Sequence, residues 1–248
     1  NGQPGIQTST SATPLAWGED DCVAWHRDFP SYDAQRPVAW AGDVNPATCD
    51  DEKLWTSGCG GGFGGGIDVH VLNGATGDTL DMVNIPELFC GGFGGYGGAM
   101  DPDGNFWIAM NGTGSYGLAR VTPDMEVNLW AYPSALSGYG LAVDNKGRPW
   151  VPSYGSVGVG RFDPATETWD TAGTFTSQGG VQQSRDLRIF VADQQTGVTV
   201  LDPETMAILG TATVPGGTVK GISLDVDGNL WAVTGAAYRF DATTLTET

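Results

Sequence analysis

A motif that ends in a large aromatic residue recurs along this chain about every 40 residues. It reads GISLDVDGNLWAV at 221–233, GGAMDPDGNFWIAM at 97–110 and GLAVDNKGRPWVPS at 140–153. Six such aromatic anchors align: Trp17, Trp55, Trp107, Trp150, Phe190 and Trp231. The steps between them are 38, 52, 43, 40 and 41 residues, and the longest step contains a glycine-rich insertion. A regular period of this length indicates a repeat architecture.

Each repeat contains short segments that are rich in Val, Ile, Thr and aromatic residues and are separated by Gly, Asp, Asn and Pro turns. With the segment before the anchor, this gives four short strands per unit, and no helix is predicted. One four-stranded unit cannot bury both of its faces, whereas units packed around an axis can. We therefore predict an all-β fold, a six-bladed β-propeller with four-stranded antiparallel blades.

A single domain over 1–248 is predicted, with blades at about 7–36, 37–88, 96–135, 138–176, 179–216 and 219–248. The last unit ends in TLTET, where the other units have a full outer strand. An unpaired strand edge is a liability, so we expect something to cover it. Residues 1–6 can supply that strand, the chain can be cut from a larger protein, or a partner can complete the edge.

The charge balance excludes several classes of partner. Eleven Lys and Arg against 29 Asp and Glu give a net charge of −18. Such a chain repels phosphate backbones and anionic lipid surfaces, so nucleic acid and membrane binding are not expected. No segment has the roughly 18–20 consecutive apolar residues of a membrane helix. Solubility is the simplest interpretation of the charge, and attraction of a divalent cation is the alternative.

Four cysteines lie in the first 90 residues, at Cys22, Cys49, Cys59 and Cys90. An even number, with few lysines, indicates an exported protein with up to two disulfides, so a secreted, periplasmic or cell-surface location is predicted. The chain begins with Asn1, so we expect a processed product or a fragment. Three pairings are possible. Two glycine-rich loops should place Cys59 and Cys90 together, which favours Cys59–Cys90 and leaves Cys22–Cys49.

The stretch YGLAVDNKGRPWVPSYGSVGVGRFDPATETW resembles the repeat of the virginiamycin B lyase (streptogramin lyase) family. NHL and SMP-30/gluconolactonase-like propellers share the repeat more loosely. The resemblance is clear over 94–245 and weak over 8–90. It implies a propeller that opens a cyclic depsipeptide by elimination, with Mg²⁺ and His and Glu residues at the central face. The positions that correspond to the family's histidines read GYGGA, GYGLA, GGVQQ and VKGIS, and none contains His.

Aromatic residues around two glycine runs form the candidate ligand site. The runs CGGGFGGG and CGGFGGYGG are near copies, and in a propeller both lie on the same face. They carry Phe63, Phe93 and Tyr96, while Tyr139 precedes the next inner strand in the way that Tyr96 does. Aromatic side chains at a channel mouth can stack on a sugar or a peptide group. The alternative is a pair of flexible loops, with the tyrosines closing the mouth.

Two Asp-x-Asp-Gly-Asn turns are candidate sites for Ca²⁺ or Mg²⁺, through Asp101, Asp103, Asn105, Asp225, Asp227 and Asn229. They resemble the start of an EF-hand loop, but calcium needs six to eight oxygens and the distal Glu is missing. A plain β-turn is therefore the favoured interpretation. The two histidines, His26 and His70, fall on predicted third strands, where a polar repeat position is the simplest explanation. No catalytic residue is assigned.

Three functions follow from these observations. The favoured one is a non-catalytic recognition or assembly module, for example a processed piece or subunit of a larger secreted or surface structure, with a protein partner or self-assembly. The second is a metal-dependent lyase or hydrolase acting on a cyclic peptide, a lactone or a glycan. The third is a structural subunit of a filament or surface layer. Fold alone does not choose among them.

Overall fold

The computed structural model describes residues 7–10, 13–30, 32–41, 52–60, 65–90, 93–111, 114–155 and 157–248. Within these ranges the chain forms five antiparallel sheets and no helix. No helix that could cross a membrane therefore occurs in this part of the chain. The all-β prediction is confirmed.

The strands follow one another in sheet order. The first sheet contains β1 (Tyr32–Ala41), β2 (Lys53–Gly60), β3 (Ile67–Asn73) and β4 (Thr79–Ile85). The second contains β5 (Gly94–Met100), β6 (Phe106–Asn111), β7 (Leu118–Val121) and β8 (Val127–Trp130). The third contains β9 (Ala142–Val143), β10 (Pro149–Pro152), β11 (Val159–Asp163) and β12 (Thr168–Ala172). The fourth contains β13 (Val181–Gln183), β14 (Ile189–Asp193), β15 (Gly197–Leu201) and β16 (Ile208–Thr213). The fifth contains β17 (Gly221–Leu224), β18 (Asn229–Val233) and β19 (Ala237–Asp241).

The predicted count of six blades is not confirmed, because the described residues form five sheets. The predicted first unit, 7–36, contains an aromatic anchor at Trp17 but no sheet of its own in the described part. Residues 13–30 form no strand there. Strand β1, which the prediction divided between the first two units, is instead the inner strand of the first sheet. The fifth sheet has three strands, and Glu247 forms a single bridge to its third strand at Phe240.

The inner strands β1, β5, β9, β13 and β17 are neighbours in space in that order, which arranges the sheets around one axis. Glycines make the close approach possible. A Cβ on Gly97 would lie 2.5 Å from the carbonyl carbon of Gly140, and one on Gly140 would lie 2.6 Å from the Gly179 oxygen. A Cβ on Gly179 would lie 2.5 Å from the Lys220 oxygen. The glycine-rich starts of the inner strands therefore pack backbone on backbone at the axis.

The interior sheets bury both faces against their neighbours. The anchors Trp107 and Trp150 are 0% exposed and pack on apolar side chains of the following sheet. In the fifth sheet one face packs on the fourth, through Leu230, Ala232 and Phe240. No other described sheet packs on the opposite face, and its anchor Trp231 is 38% exposed. The hydrophobic core thus lies between the sheets, as the propeller prediction requires.

Residues 13–30 pack on the free face of the first sheet, and we call this segment the N-terminal cap. Trp25 Nε1 donates to the Gly74 carbonyl at 2.7 Å, in the turn after β3. The ring of Phe29 lies 4.9 Å from that of His70. A Cβ on Gly77, which has φ of 74°, would fall 2.4 Å from the Trp25 ring. The cap therefore takes up space that a preceding blade would occupy in a longer array.

Candidate ligand site at the inner strands

A disulfide fixes the glycine-rich loop that leads into β5. Cys59 of β2 is bonded to Cys90, as predicted. Gly94 sits against the bond, since a Cβ there would lie 2.7 Å from Cys59 Sγ and 2.8 Å from Cys90 Sγ. The backbone N–H of Phe93 donates to the Asn111 carbonyl at 3.3 Å. The predicted Cys22–Cys49 pairing stays a prediction, because Cys49 lies outside the described residues.

Two irregularities in the inner strands direct side chains toward the axis. The register of β1 with β2 shifts between Gln35 and Val38, a stretch that contains Arg36. The register of β5 with β6 shifts between Gly95 and Gly97, and Tyr96 is the residue between them. A bulge inserts an extra residue and re-aims its side chain, and bulges are common beside functional sites.

Four side chains meet where the inner strands of the first three sheets converge, and we call them the mouth cluster: Arg36, Phe93, Tyr96 and Tyr139. The Arg36 guanidinium carbon lies 4.7 Å from the Phe93 ring centroid and 4.8 Å from that of Tyr96. Phe93 and Tyr96 meet edge to face at 5.9 Å. The Tyr96 and Tyr139 hydroxyl oxygens are 2.8 Å apart, with ring centroids at 4.3 Å.

The mouth cluster is positively charged and partly open to solvent. Phe93 is 51% exposed and Arg36 is exposed. Within the described residues, Arg36 makes no hydrogen bond and no ion pair, although the chain carries a net charge of −18. Burial, together with the hydrogen bond to Tyr96, raises the pKa of Tyr139 to about 12. The Tyr139 phenol is therefore neutral at physiological pH and can both donate and accept a hydrogen bond.

The structure brings together three of the four aromatic residues proposed from sequence. Phe93, Tyr96 and Tyr139 are in contact, and Phe63 lies outside the described residues. Sequence reasoning missed Arg36, because regular alternation along β1 gives no sign of the bulge. Whether these residues bind a ligand stays a prediction.

In each turn that was predicted to bind a metal ion, the first aspartate accepts hydrogen bonds from the turn itself and from the anchor tryptophan. Asp101 accepts from the backbone N–H groups of Asp103 and Asn105 at 3.0 and 2.9 Å. It also accepts from Asn105 Nδ2 and from Trp107 Nε1, both at 2.8 Å. Asp144 does the same in the third sheet, where Trp150 Nε1 donates to it at 2.9 Å.

The fifth sheet repeats this arrangement with Asp225, Asp227 and Asn229. Trp231 Nε1 donates to Asp225 at 2.9 Å, and the backbone N–H of Asn229 donates at 2.8 Å. These hydrogen bonds, that of Trp231 first, lower the pKa of Asp225 to about 2. Cation binding at the two turns stays a prediction. The observed hydrogen bonds explain Asp101 and Asp225 as acceptors that stabilise the turn and the anchor tryptophan.

The fourth and first sheets lack either the tryptophan anchor or the aspartate that begins the turn. In the fourth sheet the anchor is Phe190, which has no indole N–H, and the turn begins at Ser184. In the first sheet the anchor is Trp55, and the residue six positions before it is Cys49. The buried Trp55 Nε1 has no partner among the described residues. The aspartate accepts from the anchor's indole N–H in the second, third and fifth sheets, whereas in the first sheet, which has no aspartate at that position, the indole N–H has no described partner.

His26 belongs to the N-terminal cap, where residues 13–30 form no strand, and His70 of β3 lies beneath the cap. His26 stacks on the exposed ring of Trp17 at 4.4 Å. His70 is buried, and its Nε2 lies 2.8 Å from the Tyr32 hydroxyl, which also donates to Asp68 at 2.6 Å. Burial lowers the pKa of His70, although Asp68 opposes the change. Neither histidine contacts the mouth cluster.

Two clefts lie away from the mouth cluster. One of about 530 Å³ lies between the fourth and fifth sheets, beside the turns that hold Arg185 and Asp227. The other, of about 340 Å³, lies between the N-terminal cap and the first sheet. In the part of the chain that the structure describes, no three His, Cys, Asp or Glu side chains are grouped to hold a metal ion. The mouth cluster, with a guanidinium and two phenols, does not fit Mg²⁺, which prefers carboxylate and water oxygens.

Sheets arranged around one axis by their inner strands define a β-propeller type of fold. The fold is similar to that of the virginiamycin B lyase and gluconolactonase propellers, which the sequence motifs also resemble. The likeness is one of fold, because sequence identity to each structure named below is under 25%. No protein-family model and no curated protein sequence matches the chain.

Three solved structures illustrate the similarity. A catalytically inactive virginiamycin B lyase from Staphylococcus aureus with quinupristin matches at TM-score 0.67 and 13% identity, over 86% of this chain and 69% of that one. A gluconolactonase from Xanthomonas campestris matches at 0.56 and 18%, over 85% and 74%. The extracellular domain of a putative hybrid two-component system from B. thetaiotaomicron matches at 0.59 and 16%, over 82% of this chain. This chain spans 26% of that last structure.

Proposed function

We propose that this chain is an exported, non-catalytic recognition domain that binds its ligand at the mouth cluster. The observation that carries the proposal is the guanidinium of Arg36, which has no acceptor among the described residues and lies against Phe93 and Tyr96, beside the hydroxyl pair of Tyr96 and Tyr139. Inner strands and a disulfide position all four side chains, and loop residues on a rigid frame suit recognition. The disulfide and the similarity to extracellular domains support export.

The composition of the mouth cluster supports binding rather than catalysis. A general acid or base works best with a pKa near the operating pH. Arginine and phenylalanine do not meet that condition, and Tyr139 has a pKa of about 12. His70, whose residue type often serves as a general acid or base, is buried under the N-terminal cap.

The alternative is a lyase or hydrolase of the streptogramin lyase or lactonase type, acting on a cyclic peptide, a lactone or a glycan. Similarity to a lyase structure with quinupristin supports it, as a similarity of fold. The alternative requires acid–base groups and a metal site that the mouth cluster does not provide, so we place it second.

Binding to an array of soluble glycans and peptides tests the proposal. We expect ligands retained by the unaltered chain to be lost with Phe93→Ala, because the aromatic platform is removed. Trp17→Ala is the matched control, since Trp17 is an exposed aromatic that contacts His26 and not the mouth cluster. Retention that survives Phe93→Ala contradicts the proposal. Conversion of a retained ligand by the unaltered chain favours the enzyme.

A further inference from the structure

The cationic side chains of this chain differ in how they are used. Arg148 binds Asp144 and Glu204, and Arg188 binds Asp186. Arg161 reaches across to the Pro203 carbonyl of the next sheet and also binds Asp170. Each of these guanidiniums joins elements of the fold. Arg36 instead contacts two aromatic rings and no acceptor among the described residues.

Aromatic rings hold a guanidinium without using its N–H groups as hydrogen-bond donors to oxygen. Arg36 therefore has five N–H donors that no described residue uses. The planar fork of these donors matches the two oxygens of a carboxylate. No carboxylate of the described residues lies within ion-pair distance of Arg36, although the chain has 29 acidic residues.

The other side chains of the mouth cluster restrict the kind of ligand that can present a carboxylate to Arg36. Phe93 lies beside Arg36 and is 51% exposed, and the part of its ring that is open to solvent suits the C–H face of a ligand ring. The hydroxyls of Tyr96 and Tyr139 donate and accept, which suits neighbouring hydroxyl groups of a ligand. A ring that bears hydroxyls and a carboxylate is an acidic sugar.

We propose that the mouth cluster recognises a uronate, a sugar ring whose C6 is a carboxylate, through Arg36. The proposal rests on the recognition function proposed above and names its ligand class. The carboxylate lies against Arg36, the ring face against Phe93, and ring hydroxyls exchange hydrogen bonds with the Tyr96–Tyr139 pair. No bond is made or broken.

Titration of the chain with galacturonate and galactose, and with glucuronate and glucose, tests this inference, because each pair differs only at C6. Binding is followed by calorimetry or by NMR shifts of the ligand. We expect a uronate to bind more tightly than its neutral counterpart by about tenfold, the effect of a charge-assisted contact. Arg36→Gln should remove that difference, and Arg36→Lys should restore part of it, because lysine keeps the charge but not the fork.

Arg185→Gln is the control, since Arg185 is an exposed arginine that lies away from the mouth cluster. Unchanged thermal unfolding of Arg36→Gln shows that the fold is intact. Equal affinity for the acid and the neutral sugar overturns the inference while leaving the recognition function standing. So does binding of N-acetylphenylalanine without binding of any uronate, which assigns the site to a peptide carboxylate. Absence of uronate binding up to the solubility limit overturns it as well, and the array then tests the recognition function separately.

Discussion

The first and the fifth sheet are the two end sheets of the described array, and their outward faces differ. Each packs one face on a neighbouring sheet and has no other described sheet on the opposite face. At the first sheet, the N-terminal cap covers part of the free face, and Trp25 donates to the Gly74 carbonyl in the turn after the third strand. At the fifth sheet, only the guanidinium of Arg239, from the same sheet, is described over the Trp231 ring, 5.9 Å from its centroid, and Trp231 is 38% exposed.

Hydrogen bonds between neighbouring sheets show which contact the N-terminal cap replaces. Arg161 donates to the Pro203 carbonyl, and Arg188 donates to the Ala242 carbonyl at 2.9 Å. Both carbonyls lie in the turn after the third strand of the following sheet, as Gly74 does in the first sheet. Trp25 therefore supplies the donor that a preceding blade would supply. A repeat protein needs a distinct end at each terminus of its array, and here one end is provided by the chain itself.

The largest effect that this comparison predicts is a difference between two equivalent tryptophans. Trp150→Ala should lower the free energy of unfolding by about 3–5 kcal/mol, because it leaves a large cavity between two sheets. Trp231→Ala should lower it by about 1–2 kcal/mol, because the side chain is already partly in water. Each tryptophan donates to an aspartate at 2.9 Å, so the loss of that hydrogen bond is common to both variants.

Urea or guanidinium unfolding followed by circular dichroism measures the two values. Equal losses for Trp150→Ala and Trp231→Ala would mean that the open face of the fifth sheet is covered in solution. In that case the comparison of the two ends fails, and a concentration dependence of the unfolding midpoint identifies self-association as the cause.

A smaller effect is expected at the capped end. Trp25→Phe keeps an aromatic ring against the turn but removes the N–H that donates to Gly74. We expect a loss of about 1 kcal/mol, the net contribution of one hydrogen bond. Trp17→Phe is the control, because Trp17 is 65% exposed and its indole N–H has no partner among the described residues; its effect should stay within about 0.5 kcal/mol. Equal losses of unfolding free energy in the two variants would contradict the proposal that Trp25 replaces the donor of a preceding blade.

Much of the fold could be predicted because most repeats have the same turn-forming residues at the same distance before the anchor. Gly104, Gly147 and Gly228 all adopt positive φ, of 81°, 76° and 84°, at the same position of the turn before the anchor. That spacing fixes the first two strands of a sheet from sequence alone. The loops that carry Cys59 and Cys90 could also be placed together, because a propeller puts them on one face.

The count of blades and part of the site could not be predicted, for physical reasons. Trp17 has the spacing of an anchor, but residues 13–30 form no strand in the structure. Spacing alone does not reveal whether a segment finds partner strands. Arg36 reaches the mouth cluster through a bulge in β1, and a one-residue bulge reverses the face to which later side chains point. Tyr96 and Tyr139 could be proposed because each directly follows a glycine near the predicted start of an inner strand, although Tyr96 lies within β5 in the structure.

The smallest predicted effect is a pH dependence that belongs to the capped end alone. Burial beneath Phe29 and against Tyr32 lowers the pKa of His70; Asp68 raises it and Arg27 lowers it further. The folded pKa is thus below the value of about 6.5 for an unfolded histidine. As pH falls below about 6.5, the unfolded chain binds a proton that the folded chain does not, so stability decreases until the folded pKa is reached.

Unfolding free energies measured between pH 7.5 and about 5 should show this decrease, since the carboxyl groups of unfolded Asp and Glu titrate mainly below that window, at about 3.9 and 4.3. His70→Gln should flatten the profile, whereas His26→Gln, at the exposed stacking position, should leave it in place. Phe29→Ala should also flatten it, because opening the cap returns His70 to water and brings its folded pKa toward the unfolded value. A profile that Phe29→Ala leaves unchanged would mean that the sheet, and not the cap, buries His70. The strands of the first sheet would then shield His70 from water without the cap. The two ends of the array would differ in their own strands and not because a segment covers one of them.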